Sequence, residues 1–496
     1  MSIRTKALRR VAAAAGALTL AGLGLAGGAS IAHAAPGDVD LTKTDASITV
    51  HKLTQPATPG AEGTGEQITI PSGSEPIAGV DFTVTQITSI DLSDPAEWDQ
   101  LAALTVAGAQ ATETLGTPAT GTTDVNGAAA FTPLPVGVYI VEETSVANAN
   151  VNGEPVTITS QAAPWIVVIP TSINDVWTYD IHTYPKNVVT QLVMAVNETL
   201  ASGLGSAVSW PVTATPPVYP GDELLSAYSL TDALDPRLAY TGISGVTYNG
   251  LPLVEGTDYS VTVTGQEVVI TLLASGLSTV NATPGAELAL VVETTITTID
   301  DGMIPNSITQ SALGSAAGAV AAVTLSNEPL TNWGAIQIIK QDQDSLARIS
   351  GAEFQVYSVD PATNPGATPI EFPSGTAGLV GGSTNTFVTN DDNPADLGSV
   401  VIPGLVTGQD NTQDYWLVET KAPAGYVLDA APRLVTVVTS TIETAVDVVI
   451  DNVKQDRPLL PQTGGAGTVA FSVGGLGLVL VAVVLGMRSR RSRATA

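Results

Sequence analysis

The chain is 496 residues long, with 18 basic and 47 acidic side chains, three histidines and no cysteine. So acidic a surface repels phosphate and argues against nucleic acid as a partner. Without cysteine there are no disulfides, no cysteine nucleophile and no cysteine-ligated metal. A His-based catalytic centre is poorly supplied, and no cofactor or metal site is indicated; the run Asn390-Asp391-Asp392-Asn393 is too short to argue one.

Residues 1–34 read as a secretory signal peptide. Arg4, Lys6, Arg9 and Arg10 precede an apolar Ala/Leu/Gly run, and Ala32-His33-Ala34 offers the small-x-small cleavage pattern. The body that follows is too long for one ordinary domain. It is rich in Thr and Val, punctuated by Gly and Pro, and weak in helical periodicity. Alternating runs such as Tyr259–Thr264 and Val268–Leu272, separated by Gly265-Gln266-Glu267, predict hairpins. The expectation is an all-β chain of tandem immunoglobulin-like β-sandwiches at 35–187, 188–329 and 330–456. A terminal segment at 457–496 follows.

Two stretches of this body repeat. Ile77-Ala-Gly-Val-Asp-Phe82 corresponds to Ile349-Ser-Gly-Ala-Glu-Phe354, and Tyr139-Ile-Val-Glu-Glu-Thr144 to Tyr415-Trp-Leu-Val-Glu-Thr420. A lysine precedes each copy, Lys52 in the first and Lys340 in the second. The repeat unit is a whole domain.

Over residues 334 to 456, the second copy resembles the B-type domain of Gram-positive collagen adhesins and pilins. Lys340-Gln341-Asp342, the Gly-Ala-Glu-Phe block and Glu419-Thr-Lys-Ala-Pro-Ala-Gly-Tyr426 carry the resemblance. It implies a bond from Lys340 on the first strand to Asn452 on the last, with Glu419 between them. The residue types suit that chemistry. Burial lowers the pKa of a lysine and so supplies a neutral amine nucleophile. Burial also raises that of Glu419, so that a protonated carboxyl polarises the Asn452 carbonyl. The amine attacks, ammonia leaves, and an isopeptide bond remains. In the first copy the corresponding set is Lys52, Glu143 and Asn187, although the loop from Lys52 to Gly79 is long and no Lys-Ala-Pro-Ala-Gly follows Thr144.

The middle domain resembles the A-type pilin domain, whose triad is Lys, Asp and Asn. Asp232 in Tyr228-Ser-Leu-Thr-Asp232 and Asn327 in Leu325-Ser-Asn327 stand at the Asp and Asn positions. Met194 stands at the Lys position, and no lysine occurs between Lys186 and Lys340. The same domain without its staple is expected, with the flexible Met194 filling the slot.

Ahead of that domain, Trp177-Thr-Tyr-Asp-Ile-His-Thr-Tyr184-Pro185-Lys186-Asn187 resembles the pilin motif of sortase-assembled shafts, in which Tyr-Pro-Lys supplies an amine. Alternation predicts Trp177, Tyr179 and Ile181 on a packed face and Thr178, Asp180 and His182 on a wet one. Pro185 fixes the backbone beside Lys186. Lys43, Lys421 and Lys454 read as solvated, without a role.

At the far end, Leu460, Pro461, Gln462, Thr463 and Gly464 resemble the LPxTG sorting signal, which implies cleavage after Thr463 and its transfer to an amine. An apolar, uncharged stretch from Gly467 to Met487 follows, about long enough for a transmembrane sorting helix. Arg488, Arg490, Arg491 and Arg493 hold its end in the cytoplasm. Residues 1–34 and the part released from Gly464 onward contain eight of the 18 basic residues and none of the 47 acidic ones, leaving 10 against 47, a formal charge of −37.

Together the resemblances imply a major, shaft-forming pilin: a structural sortase substrate, not an enzyme, secreted and anchored to the cell wall after a transient membrane stage. The implied partners are identical subunits, a pilus sortase, a housekeeping sortase and peptidoglycan, and beyond them a tip pilin and host receptors. The alternative is a monomeric wall-anchored adhesin holding a host ligand, for which Lys186 is irrelevant.

Overall fold

The computed structural model describes residues 39–56, 63–174, 176–390 and 396–455. The signal peptide, the LPQTG motif with Thr463 and the apolar stretch lie outside them. No helix among the described residues is long and apolar enough to cross a membrane. The chain divides into two compact units; the first takes most of the chain up to Asn187, and the second takes it from Val188 together with the short stretches Gln55–Pro59 and Val156–Thr159.

In the first unit, Ala46–His51 is the centre of a three-stranded sheet. It pairs antiparallel with Ala128–Leu134 and parallel with Asp180–Thr183. A parallel partner so distant in sequence means that the first and last strands lie side by side. Leu53–Thr54 extends the arrangement, parallel to Lys186 and Asn187. The second sheet runs Trp165–Ile169, Gly137–Ser145, Asp81–Ile87, Ala119–Thr122. Period-two burial along Ala46–His51 sends Ile48 and Val50 inward. Two short helices, Pro95–Leu101 and Val106–Thr112, carry little apolar periodicity and are set by their caps: Asp94 accepts from Ala96 N and Thr105 from Gly108 N. Ala109 packs there with Ile87, Val138 and Ile140.

The second unit holds two sandwiches. In the middle one, Leu238–Tyr248, Leu288–Ile296 and Ala207–Thr215 are joined by Gln191–Met194. The other sheet runs Tyr259–Thr264, Glu267–Leu272, Leu225–Ala233, Ile308–Gly314, Ala322–Leu325. The expected hairpin is present: Thr264 pairs with Glu267, and Gly265 takes a left-handed φ of 62° in the two-residue turn.

In the C-terminal sandwich the strand Leu330–Asp342 pairs antiparallel with Ser399–Val406 and parallel with Val446–Asn452. The opposite sheet runs Phe387–Val388, Glu353–Tyr357, Thr412–Lys421, Arg433–Val438. The internal repeat survives as register. A bulge at Asp81/Phe82 sets Phe82 opposite Glu143, and one at Glu353/Phe354 sets Phe354 opposite Glu419.

The two sandwiches of this unit share one continuous core, with Trp210, Tyr228 and Tyr248 at one end and Trp333, Phe354, Phe387 and Tyr415 at the other. Leu204, on a loop of the middle sandwich, fills the seam against Gly404. That glycine has φ +67°, and a Cβ on it would lie 2.3 Å from Leu204 Cγ. Tyr415 OH lies 3.4 Å from Ser202 O and 2.7 Å from Val406 O.

Candidate functional site

In the first unit the parallel pairing brings Lys52, at the end of the first strand, beside Asn187, while the bulged register aims Glu143 at both. Lys52 and Asn187 are fully buried and Glu143 nearly so. Lys52 Nζ donates to Glu143 Oε2 at 2.6 Å and to Asn187 Oδ1. Asn187 Nδ2 donates to Glu143 Oε1 at 2.7 Å. Burial, only partly offset by Glu143, pushes the Lys52 amine down to about 8.

The C-terminal sandwich builds the same constellation. Lys340, Glu419 and Asn452 are all buried. Lys340 Nζ donates to Asn452 Oδ1 and lies 3.4 Å from Glu419 Oε1. Asn452 Nδ2 donates to Glu419 Oε1 at 3.1 Å, and Asp429 N to Glu419 Oε2 at 3.0 Å. Burial pushes the Lys340 amine down as well, against the opposing pull of Glu419.

In both places the glutamate faces the lysine nitrogen and the amide nitrogen, not the amide carbonyl as expected from sequence. It is therefore set to take a proton from the attacking amine and hand it to the nitrogen that departs as ammonia. Attack of Nζ on the Asn Cγ would form one C–N bond and break that to Nδ2, which would leave as ammonia. Two buried charges would become a neutral amide and a neutral carboxylic acid. That relieves a desolvation cost which a permanent ion pair would carry.

The middle sandwich differs from the expected arrangement. Asp232 is fully buried, but its Oδ2 accepts from Asn306 Nδ2 at 3.1 Å, and Asn327 is not its partner. Asn327 instead bonds the Met194 backbone, accepting from its N and donating to its O, both at 2.8 Å. Met194 is buried, as a residue filling an apolar slot should be. Asn306 carries no local pattern that marks it in the sequence.

The Trp177–Asn187 run is not a single strand. Val176–Thr178 pairs with Thr171–Ile173, and after a break at Tyr179 the chain joins the parallel sheet as Asp180–Thr183. Trp177 packs on Trp98 with ring centroids 5.6 Å apart, Ile181 is buried and Asp180 is exposed. Tyr184 OH accepts from Ile68 N at 2.7 Å, and Leu53 N donates to Pro185 O at 3.1 Å. Lys186 is partly exposed, and its Nζ has no hydrogen bond or ion pair among the described residues. The lysines given no role each meet a carboxylate: Lys43 Asp45 at 2.9 Å, Lys421 Glu353 at 2.5 Å, Lys454 Asp342 at 3.0 Å. Sequence reasoning missed His51 and His182, which lie 131 positions apart and meet beside Tyr184.

Family models match four segments of the chain: Gram-positive pilin subunit D1, N-terminal domain, over 43–188; the Sgo0707 N2 domain over 191–323; a prealbumin-like fold domain over 334–452; and the LPXTG cell wall anchor motif over 452–492. Over 526 residues the chain is 34% identical to fimbrial subunit type 2 of Actinomyces naeslundii, spanning 96% of this chain and 95% of that one. The chain belongs to the Gram-positive fimbrial subunits. This pilin is also 29% identical to fimbrial subunit type 1 of Actinomyces viscosus, over 95% of its own length and 96% of the relative's. Its fold is similar to that of the full-length major pilin SpaD of Corynebacterium diphtheriae, with 25% identity and a TM-score of 0.55, covering 85% of this chain and 99% of that one. The pilin is a structural sortase substrate, not an enzyme, and its place is an extracellular fimbria anchored to the cell wall.

Proposed function

We propose that this pilin forms the covalent shaft of a fimbria, a pilus sortase joining Thr463 of one subunit to Lys186 of the next, and a housekeeping sortase passing the last Thr463 to peptidoglycan. The observation that carries this reading is the Lys186 amine, partly exposed and unpartnered among the described residues, next to the fully buried Asn187. Of two adjacent polar residues, one is sealed in the sandwich and the other is left open to a second molecule.

Lys52 with Asn187, and Lys340 with Asn452, form intramolecular isopeptide bonds, Glu143 and Glu419 relaying the proton. Each bond ties a first strand to a last one. The buried hydrogen-bonded geometry of both triads supports this, as does positioning within one fold, which supplies much of the rate.

Mass spectrometry of cross-linked peptides from the native wall tests the shaft reading, the expected product joining Thr463 to Lys186. Lys186→Ala should abolish the detergent-resistant ladder of multimers in wall extracts. An intact ladder in that variant would overturn Lys186 as the acceptor, and no ladder from the parent chain would leave the monomeric adhesin as the better reading.

A further inference from the structure

We propose that His51 and His182 are positioning residues for the Lys186 acceptor, a reading that rests on the assignment of Lys186 above. His51 Nε2 and His182 Nδ1 are 2.9 Å apart, so one ring must donate and the other accept. His51 closes the first strand, and His182 lies on its parallel neighbour, in register with Thr49. The bond therefore ties the first strand to the strand that leads into Tyr184-Pro185-Lys186.

The same imidazole grips the next residue. His51 stacks on the Tyr184 ring with centroids 4.7 Å apart and planes inclined by 8°. The Tyr184 hydroxyl is held by Ile68 N, and the Pro185 carbonyl by Leu53 N. Tyr184 is thus fixed at its tip and its face, and Pro185 passes that placement to Lys186 through its restricted φ. The Lys186 side chain has no partner of its own among the described residues, so the approach of its amine depends on this backbone.

The contact also has a proton condition. One proton can sit between the rings; a second makes both nitrogens donors and sets two cations against each other. Partial burial holds both imidazoles below the ordinary histidine range, and His182 lowers His51 further; Asp124, facing His51, and Asp180, on the strand of His182, pull the other way. Tyr184 covers the face of His51, and the backbone around His182 is pinned through its N to Gly65 O. Double protonation in acid should therefore part the rings and release Tyr184.

The test uses the full chain carrying Thr463→Ala, so that it can accept but not donate, with a pilus sortase and a labelled LPQTG peptide. Initial rates of Lys186 labelling are compared between this chain and variants at each pH, so the enzyme's own pH dependence cancels in the ratio. His51→Phe, which can still stack on Tyr184 but cannot bond His182, is expected to label about fivefold more slowly at pH 7.5, the worth of one neutral hydrogen bond. That gap should close by pH 5. His182→Gln, which can bond His51 but cannot take a proton, should match the parent at pH 7.5 and exceed it at pH 5. Ratios that stay constant with pH, or a His51→Phe rate equal to the parent's at pH 7.5, would overturn the proposal. Label found on another lysine in the parent chain overturns the Lys186 assignment and this proposal with it. Circular dichroism on each variant separates slow labelling from misfolding, and the His182→Gln rescue holds whatever becomes of His51→Phe.

Discussion

Asp232 lies inside the middle sandwich with one carboxylate oxygen on Asn306 and the other without a partner among the described residues. Burial pushes its pKa up to about 7, against the lowering effect of Asn306. The folded state therefore holds this proton over a range where the unfolded chain has released it. Stability from this group is full below the ordinary carboxylate range and falls as pH rises through 7, by at most about 4 kcal/mol. Thermal unfolding of the middle sandwich should show that decline between pH 4 and 8, and Asp232→Asn should flatten it. The glutamates carry a different expectation. Glu419→Ala should leave the mass of the C-terminal sandwich without its loss of ammonia. It should also cost about 3–5 kcal/mol, because Lys340 is then a buried cation with no counter-charge. For Lys52, the neutral fraction grows as pH approaches its depressed value of about 8, so ammonia loss after rapid refolding should be faster at pH 8 than at pH 6.

At the level of strands, both triads close the same topology: a first strand laid parallel to a last one, with the whole domain between. The Lys340 and Asn452 positions are 112 apart, and a cross-link over so long a loop removes about 4–5 kcal/mol of unfolded-state entropy. Asn452→Ala should lower the melting temperature of the C-terminal sandwich accordingly, as read by calorimetry. Much of this was legible in the sequence. Lys340, Glu419 and Asn452 each sit in a recognisable local phrase, and period-two alternation marks the strands that carry them. The register that sets Phe82 opposite Glu143 is itself the repeat seen in the sequence, reappearing in space. What could not be read was pairing without a local phrase. Asn306 meets Asp232, and His51 meets His182, because strands distant in the chain become neighbours, and nothing near either residue announces its partner. The helices Pro95–Leu101 and Val106–Thr112 also escaped, since seven-residue helices set by caps carry little periodicity.

At the level of the molecule, the composition forced a choice that the structure explains. An exported chain with no cysteine has no disulfide to hold thin sandwiches, and two of its three sandwiches bury a Lys–Glu–Asn set instead. The remaining one leans on its neighbour through a shared core and the Leu204 seam. Gly404→Ala should strain a left-handed backbone and drive a methyl into Leu204, and Leu204→Ala should leave a cavity worth about 2–4 kcal/mol. Limited proteolysis of either variant is expected to cut first near residues 198–206, with the first unit left intact.

The missing lysine of the middle sandwich has a mechanical consequence. In a polymer joined through Lys186 and Thr463, tension enters each subunit at Lys186 and leaves at Thr463. Residues before Lys186 hang beside that path, and a Lys340–Asn452 bond carries the pull past everything between those two residues. Of the sandwiches on that path, the stretch from 187 to 339, which contains no lysine, is what remains to stretch, by up to about 3.3–3.6 Å for each residue drawn out. Such a fibre is a row of springs between inextensible links, each able to yield under a sudden tug and refold once it passes.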